Sequence, residues 1–311
     1  MTNKTMERLG LEYFNALWSR SFFQPAPNDR SLFVMHDLMS DLATSVVGEF
    51  FSRVDIGTEK EHRNESFEKY RHLSFVCEEY MVSGRFEPLK GAKSLRTLLA
   101  VSVGVIKNWQ RFYLSNKVLK NLLQEFPLLR VLSLSHLGIS EGPEFIGSLK
   151  HLCLTKLPNS FLRLKNLRHL DIRNTPGLKK MPLGIGELKG LQTLSKIIIT
   201  GENGFAITEL KNLQNLHGKI SIWGLGNVQN ETEARGSHLS QKRLTELELD
   251  WGYGLLQTRL SMLEFAVSFG DSELNVFRKE TLDKEVLTEL KPQADSLKKL
   301  EIVSYAGYRV S

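Results

Sequence analysis

Two kinds of hydrophobic spacing divide the chain. Over about the first fifty residues, apolar positions recur every third or fourth place. Met6, Leu9, Tyr13 and Leu17, with Phe14 and Trp18, predict an amphipathic helix over residues 6–23, ending before Gln24-Pro25-Ala26-Pro27. Leu32-Phe33-Val34 predicts a short strand. Leu38, Leu42 and Val46, beside Met39, Ala43 and Val47, form two i,i+4 stripes of a second helix, for which Asp37 is the expected N-cap. Helix, strand and helix in that order suggest the tail of a winged-helix unit.

Farther on, the spacing becomes that of a repeat. L-x-x-L-x-[LI] occurs at Leu129-Leu132-Leu134, Leu149-Leu152-Leu154, Leu167-Leu170-Ile172, Leu244-Leu247-Leu249 and Leu297-Leu300-Ile302. A second pattern, P-x-x-[IF]-x-x-L-K-x-L, begins at Pro143, Pro158 and Pro182. In the first pattern the last two apolar residues stand two apart, so both point to one side of a short strand. The proline-led half returns the chain and brings a second apolar set. No single repeat buries its own apolar face; stacking does, and the strands then form a parallel sheet. The fold class is therefore α/β: a leucine-rich-repeat solenoid with a parallel concave sheet, preceded by the C-terminal part of a winged-helix subdomain. The expected domains are 1–55 (winged helix), 56–90 (connector or irregular first repeat) and 91–311 (repeats, truncated at the C-terminus). Asn174 sits where the repeat's asparagine ladder belongs, its amide able to serve turn backbone groups. The period fails once: Pro158 to Pro182 is 24 residues, but Pro143 to Pro158 is only 15. A kink or a lost repeat, with strain over Leu149–Leu157, is expected there.

Composition adds bounds. Among 311 residues, 41% are hydrophobic and 24% charged, which is ordinary globular usage. Cys77 and Cys153 are far apart, which fits a reducing compartment and no zinc site. The N-terminal residues carry no secretory apolar core, and the run Leu98–Ile106 is too short to cross a bilayer. A cytoplasmic protein is expected, with the nucleus or a membrane surface as alternatives. The net charge of +6 is uneven: Pro143 to Lys196 carries ten Lys/Arg against three acids. These charges recur at repeat-fixed positions, which fits a solvated face better than a dedicated polyanion site.

Candidate chemistry is sparse. The chain has no G-x-x-x-x-G-K-[ST] loop and no H-x-x-x-H. No catalytic and no metal-binding residues are expected. Basic residues are too few over Met35–Arg53 for a DNA-reading helix, so no nucleic-acid partner is expected. Recognition of protein remains. The residues that flank the core leucines project from the sheet: Val131, Ser133 and Ser135; His169, Asp171 and Arg173; Glu246, Glu248 and Asp250; Lys299 and Glu301. The middle of that face is mixed but basic and the later part acidic, so a partner would meet a graded potential.

The sequence also resembles a family. Gly10-Leu-Glu-Tyr-Phe14 through Phe22-Phe23, then Phe33-Val-Met35-His36-Asp37-Leu38 through Ala43, look like plant intracellular nucleotide-binding leucine-rich-repeat immune receptors of the coiled-coil class. Leu95-Arg96-Thr97-Leu98, Leu129-Arg130-Val131-Leu132 and Leu244 through Trp251 continue the likeness. Met35-His36-Asp37 matches the family's MHD motif. The resemblance implies that His36 reads the ADP β-phosphate and that Asp37 supports its turn. ADP and ATP would be ligands of the full-length family, with no cofactor held by this chain. It also implies a plant innate-immune receptor fragment whose partners are a pathogen effector or host guardee and the nucleotide-binding domain. The alternative is a stand-alone repeat adaptor that binds protein without nucleotide.

Overall fold

The computed structural model describes residues 6–26, 29–54, 67–76, 80–81, 86, 89–101, 112–135, 137–140, 157–175, 178–200, 204–252, 273–293 and 295–305. Contacts divide the chain into two units, Met1–Phe51 and Ser52–Ser311.

In the first unit the helix is Met6–Ser19, shorter than the spacing predicted. Ser21 takes a left-handed φ of 63°. The Phe22 N–H then reaches the Leu17 carbonyl and the Ser21 N–H that of Trp18. This paired closure stops the helix before Phe23. The expected break at Pro25 is instead part of strand Phe23–Ala26, which pairs antiparallel with Asp29–Met35. Phe14 stacks on Phe23 and meets Phe33 edge-on, each with ring centroids 5.0 Å apart. The second helix is Asp37–Val47, and its N-cap is His36, not Asp37: the His36 Nδ1 accepts the Leu38 N–H at 3.4 Å. Neither helix contains a buried residue, and Met6, Leu38 and Val46 are 70%, 69% and 77% exposed.

The second unit is the repeat array. Its larger sheet runs, in spatial order, Thr193–Leu194, His169–Asp171, Val131–Ser133, Thr97–Val101, His72–Val76 and Phe51–Val54. Neighbours from Thr193–Leu194 to His72–Val76 are parallel, and the register places Leu73, Leu98, Leu132, Leu170 and Leu194 in one column. All five are at most 2% exposed. A second parallel sheet follows: Lys196–Ile198, His217–Trp223, Arg243–Asp250 and Lys299–Val303, with Ile197, Ile222, Leu249 and Ile302 in register. The interior is one cluster of buried residues across both sheets.

The proline-led halves fold as 3-10 turns at Asn159–Arg163 and Ile185–Glu187, and Ile207–Asn212 repeats the device without proline. Spacing by threes suits that helix, whose side chains at i and i+3 eclipse. Phe161, Leu164 and Leu167 are thereby stacked and fully buried, as are Leu210 and Leu213.

Two expectations need correction. Val131–Ser133 pairs directly with His169–Asp171, and the expected strand at Leu152–Leu154 lies outside the described residues. The proposed strain over Leu149–Leu157 falls mostly outside the described residues, as do Cys77 and Cys153. The sheet is also not continuous: it breaks at Ser195, whose hydroxyl accepts the Ile172 N–H at 2.8 Å in place of a ladder bond. Leu300 and Ile302 are in register but 46% and 39% exposed, because no further described strand stacks on theirs. Asn174 is exposed with a left-handed φ of 52°, and Ser304, at the same place in its repeat, has 54°. Asparagine amides bridge repeats at Asn166 to Pro127 O, 3.0 Å, Asn215 to Lys189 O, 3.1 Å, and Asn227 to Ile199 O, 3.0 Å.

Candidate functional site

Strand residues alternate, so those between the core leucines form rows on the sheet's outer face. One row is Val131 and His169, the next Ser133 and Asp171. In the second sheet Glu246 stands opposite Lys299, and Glu248 opposite Glu301. The structure therefore brings His169, Asp171 and Arg173 together, and separately Glu246, Glu248, Lys299 and Glu301. Asp250 is withdrawn: it is 8% exposed, and its Oδ1 accepts the Gly252 N–H at 2.8 Å, closing a turn.

Much of this face is internally paired. Arg173 grips Asp171 with two bonds, Nε to Oδ1 at 3.0 Å and Nη2 to Oδ2 at 2.8 Å. Burial opposes ionisation of Asp171, but the Arg173 side-chain and backbone bonds, its charge and the Ser195 hydroxyl outweigh burial and hold the carboxyl below its usual range. His169 Nδ1 lies 3.0 Å from the Thr193 hydroxyl. Lys219 pairs with Glu246 at 2.9 Å, Lys299 pairs with Glu301 at 3.0 Å, and Ser221 donates to Glu248 at 2.6 Å. Hydrogen bonding from Lys219 lowers the pKa of Glu246, and hydrogen bonding to Glu301 raises that of Lys299. Exposed pairs of this kind contribute roughly 0.2–1 kcal/mol each, so a partner can rearrange them readily.

Sequence reasoning missed Lys196, which lies at the break between the sheets. It is 4% exposed, its Nζ sits 4.4 Å from the Trp223 ring centroid and donates to Thr175 O at 3.4 Å. Desolvation lowers its pKa to about 8, against the charge of Glu248. A basic residue two places after Leu194, where the repeat pattern demands an apolar one, was the available signal.

His36 and Asp37 lie in the first unit, both exposed. A ring whose Nδ1 accepts the cap bond carries its proton on Nε2, leaving an outward donor. Among the described residues no cluster of His, Cys, Asp or Glu could hold a metal ion, and no helix is long and apolar enough to cross a membrane. A cavity of about 270 Å³ is lined by Phe86, Leu89, Val118 and Leu122 together with Lys90, Asn121, Gln124 and Glu125. That is below the roughly 300–1,000 Å³ of ordinary ligand sites.

Comparison with known proteins agrees with this division. Residues 1–43 match the family described as the winged-helix domain of disease resistance proteins. Residues 207–311 match the R13L1/DRL21 leucine-rich repeats. The RPP13-like protein 1 of Arabidopsis thaliana, named as a disease-resistance protein, is 31% identical over 99% of this chain and 30% of its own length. Protein RGA1 of Solanum bulbocastanum, named likewise, is 30% identical over 99% of this chain and 28% of its own. The chain thus spans less than a third of the length of these relatives. A leucine-rich-repeat protein of Leptospira interrogans aligns with a TM-score of 0.32 and 16% identity, over 67% of this chain and 53% of that one. Winged helices and leucine-rich repeats are not catalytic domains, and the repeats are protein-interaction modules. The chain belongs to the plant disease-resistance protein family and carries its winged-helix and leucine-rich-repeat parts.

Proposed function

We propose that this chain is the recognition and coupling portion of an innate-immune receptor acting in the cytoplasm. In this reading the outer sheet face binds a pathogen effector or a host protein that the effector alters. The first unit couples that event to an ADP/ATP switch in a neighbouring nucleotide-binding domain. The observation that carries the reading is the set of outward rows His169, Asp171 and Arg173, and Glu246, Glu248, Lys299 and Glu301. These side chains add nothing to the leucine interior, and they present a mixed-to-acidic gradient to a partner.

Two features support the coupling half. His36 is exposed at the start of a helix, where a phosphate oxygen would be favoured. The exposed apolar residues of the first unit, Met6, Leu38, Leu42 and Val46 among them, fit burial against the rest of a larger domain.

Photo-cross-linking tests the recognition half. A benzophenone side chain at Glu248 of the full chain, expressed in leaf tissue, is expected to trap a protein. The same group at Lys211, on a 3-10 turn, is expected to trap none. Equal trapping from both positions refutes the reading. For the coupling half, ADP is expected to bind only to a longer protein that contains a phosphate loop, and His36→Ala there should weaken it. Unchanged ADP affinity in that variant removes the sensor role.

A further inference from the structure

Arginine occupies one position in four successive strands of the larger sheet. Arg71, Arg96, Arg130 and Arg168 each precede the first outward residue of their strand. The backbone repeats the same lock at each step. The N–H groups of Arg96 and Thr97 both donate to Arg71 O, at 2.7 and 3.0 Å. Those of Arg130 and Val131 donate to Arg96 O, at 2.7 and 2.9 Å, and those of Arg168 and His169 to Arg130 O, at 2.8 and 3.0 Å. The four Cα atoms therefore follow one another at about one strand spacing, roughly 5 Å, along a row about 15 Å long.

The fold does not require charge here. Gln192 holds the same place in the next repeat, with its N–H on Arg168 O at 2.7 Å, and His217 follows with its N–H on Gln192 O at 2.8 Å. Like charges stacked at one strand spacing repel. The core leucines beside them account for the burial, so the interior does not call for the charges. The central two, Arg96 and Arg130, have no carboxylate partner among the described residues. Two acids of the neighbouring repeats are engaged elsewhere: Asp171 holds Arg173, and Glu187, in a 3-10 turn, lies 3.9 Å from Lys189. Exposed Lys93 and Lys165, in the turns before the strands, add to the field, and Glu68 before Arg71 is the acid that opposes it there.

We propose that this arginine row seats an extended acidic segment of a partner protein, laid across the strands. The proposal rests on the reading that the strand side binds protein, and names the chemistry of the partner. Guanidinium forks donate to carboxylates two bonds at a time. Same-side residues of an extended segment recur at about 6.6 Å, so three carboxylates span the row. Beside the arginines runs His72, Thr97, Val131, His169 and Thr193, in register. His72 Nδ1 lies 3.0 Å from the Thr97 hydroxyl, as His169 does from Thr193. That shelf suits a peptide backbone. It offers no Phe, Tyr or Trp on which the bases of a single strand could stack, so nucleic acid fits less well.

Fluorescence anisotropy on the full chain tests this with a labelled poly-glutamate peptide, a poly-glutamine peptide and an oligo-thymidine. Poly-glutamate is expected to bind, more weakly as salt rises. Arg96→Gln with Arg130→Gln should weaken it about tenfold or more, given roughly 1.5–3 kcal/mol per charge-assisted bond. Arg96→Lys with Arg130→Lys should lose less. Lys120→Gln with Lys211→Gln, an equal charge change elsewhere, should leave affinity unchanged. Circular dichroism checks that each variant is folded, and Gln192 shows that glutamine fits the position. Equal weakening in the Lys120/Lys211 variant, no weakening in the Arg96/Arg130 variant, or tighter binding of oligo-thymidine overturns the proposal. If poly-glutamate fails while the Glu248 cross-linker still traps a protein, only the acidic-segment inference falls.

Discussion

Lys196 is a charge that the fold holds at an energetic loss, and its replacement by methionine should stabilise the protein. Its ammonium is buried with one long hydrogen bond, to Thr175 O at 3.4 Å, and the Trp223 ring beneath it. Burial lowers its pKa from 10.5 to about 8. At 1.36 kcal/mol per unit, that depression is a penalty of about 3 kcal/mol on the charged form. The ring contact offsets about 0.5–2 kcal/mol, and it is lost in Lys196→Met along with the penalty. Methionine fills the same volume and keeps a sulfur–aromatic contact. The variant should gain about 1–2 kcal/mol at pH 7.

The pH dependence gives the sharper test. Between pH 8 and 10.5 the unfolded chain keeps the Lys196 proton while the folded one has released it. Stability of the native protein therefore rises with pH across that window. From pH 7 to pH 9 the rise due to this group is about 1.3 kcal/mol. Lys196→Met cannot show it, so the stability difference between the two proteins should shrink by that amount. Urea unfolding followed by circular dichroism at both pH values measures the difference, and subtraction cancels the other titrating groups, Lys242 included. A variant destabilised at pH 7, or a difference that does not change with pH, refutes the reasoning.

Leu132→Ala should cost about 3 kcal/mol in urea unfolding, because Leu132 is fully buried in the middle of its column, whereas Leu300→Ala should cost under about 1 kcal/mol. Gly224→Ala should lower the melting temperature strongly. Gly224 has a φ of 80°, and an added Cβ would meet Ile199 O, so the backbone itself must shift. Asp171→Asn should cost little stability, about 1 kcal/mol or less, because Arg173 on the other side of the pair is mostly exposed.

The sequence carried the architecture because the solenoid repeats one burial problem. Leu132, Leu170 and Leu247 recur at a spacing that only stacked parallel strands satisfy, and the 3-10 returns follow from apolar residues three apart, as at Phe161, Leu164 and Leu167. What it hid depends on long-range geometry. Helix Asn116–Glu125, which buries Val118, Leu119, Leu122 and Leu123, lies inside a crossover whose length the repeat pattern does not set. The N-cap moved from Asp37 to His36 by one residue, a difference settled by backbone angles. On the face, residue types at outward positions were legible. Asp250 was misplaced because its carboxylate closes a local turn, and Lys196 was missed because it lies where one sheet ends and the next begins.

Direct pairing of Val131–Ser133 with His169–Asp171 is where the stacked-strand account is most exposed. Ser133 and Asp171 are register partners on the outer face. With Cys77 and Cys153 replaced by serine, Ser133→Cys combined with Asp171→Cys should join quantitatively through a short thiol cross-linker, since partners on adjacent strands lie about 5 Å apart. Ser133→Cys combined with Glu248→Cys, in the other sheet, should not. Efficient joining of the second pair, or none in the first, would contradict the account.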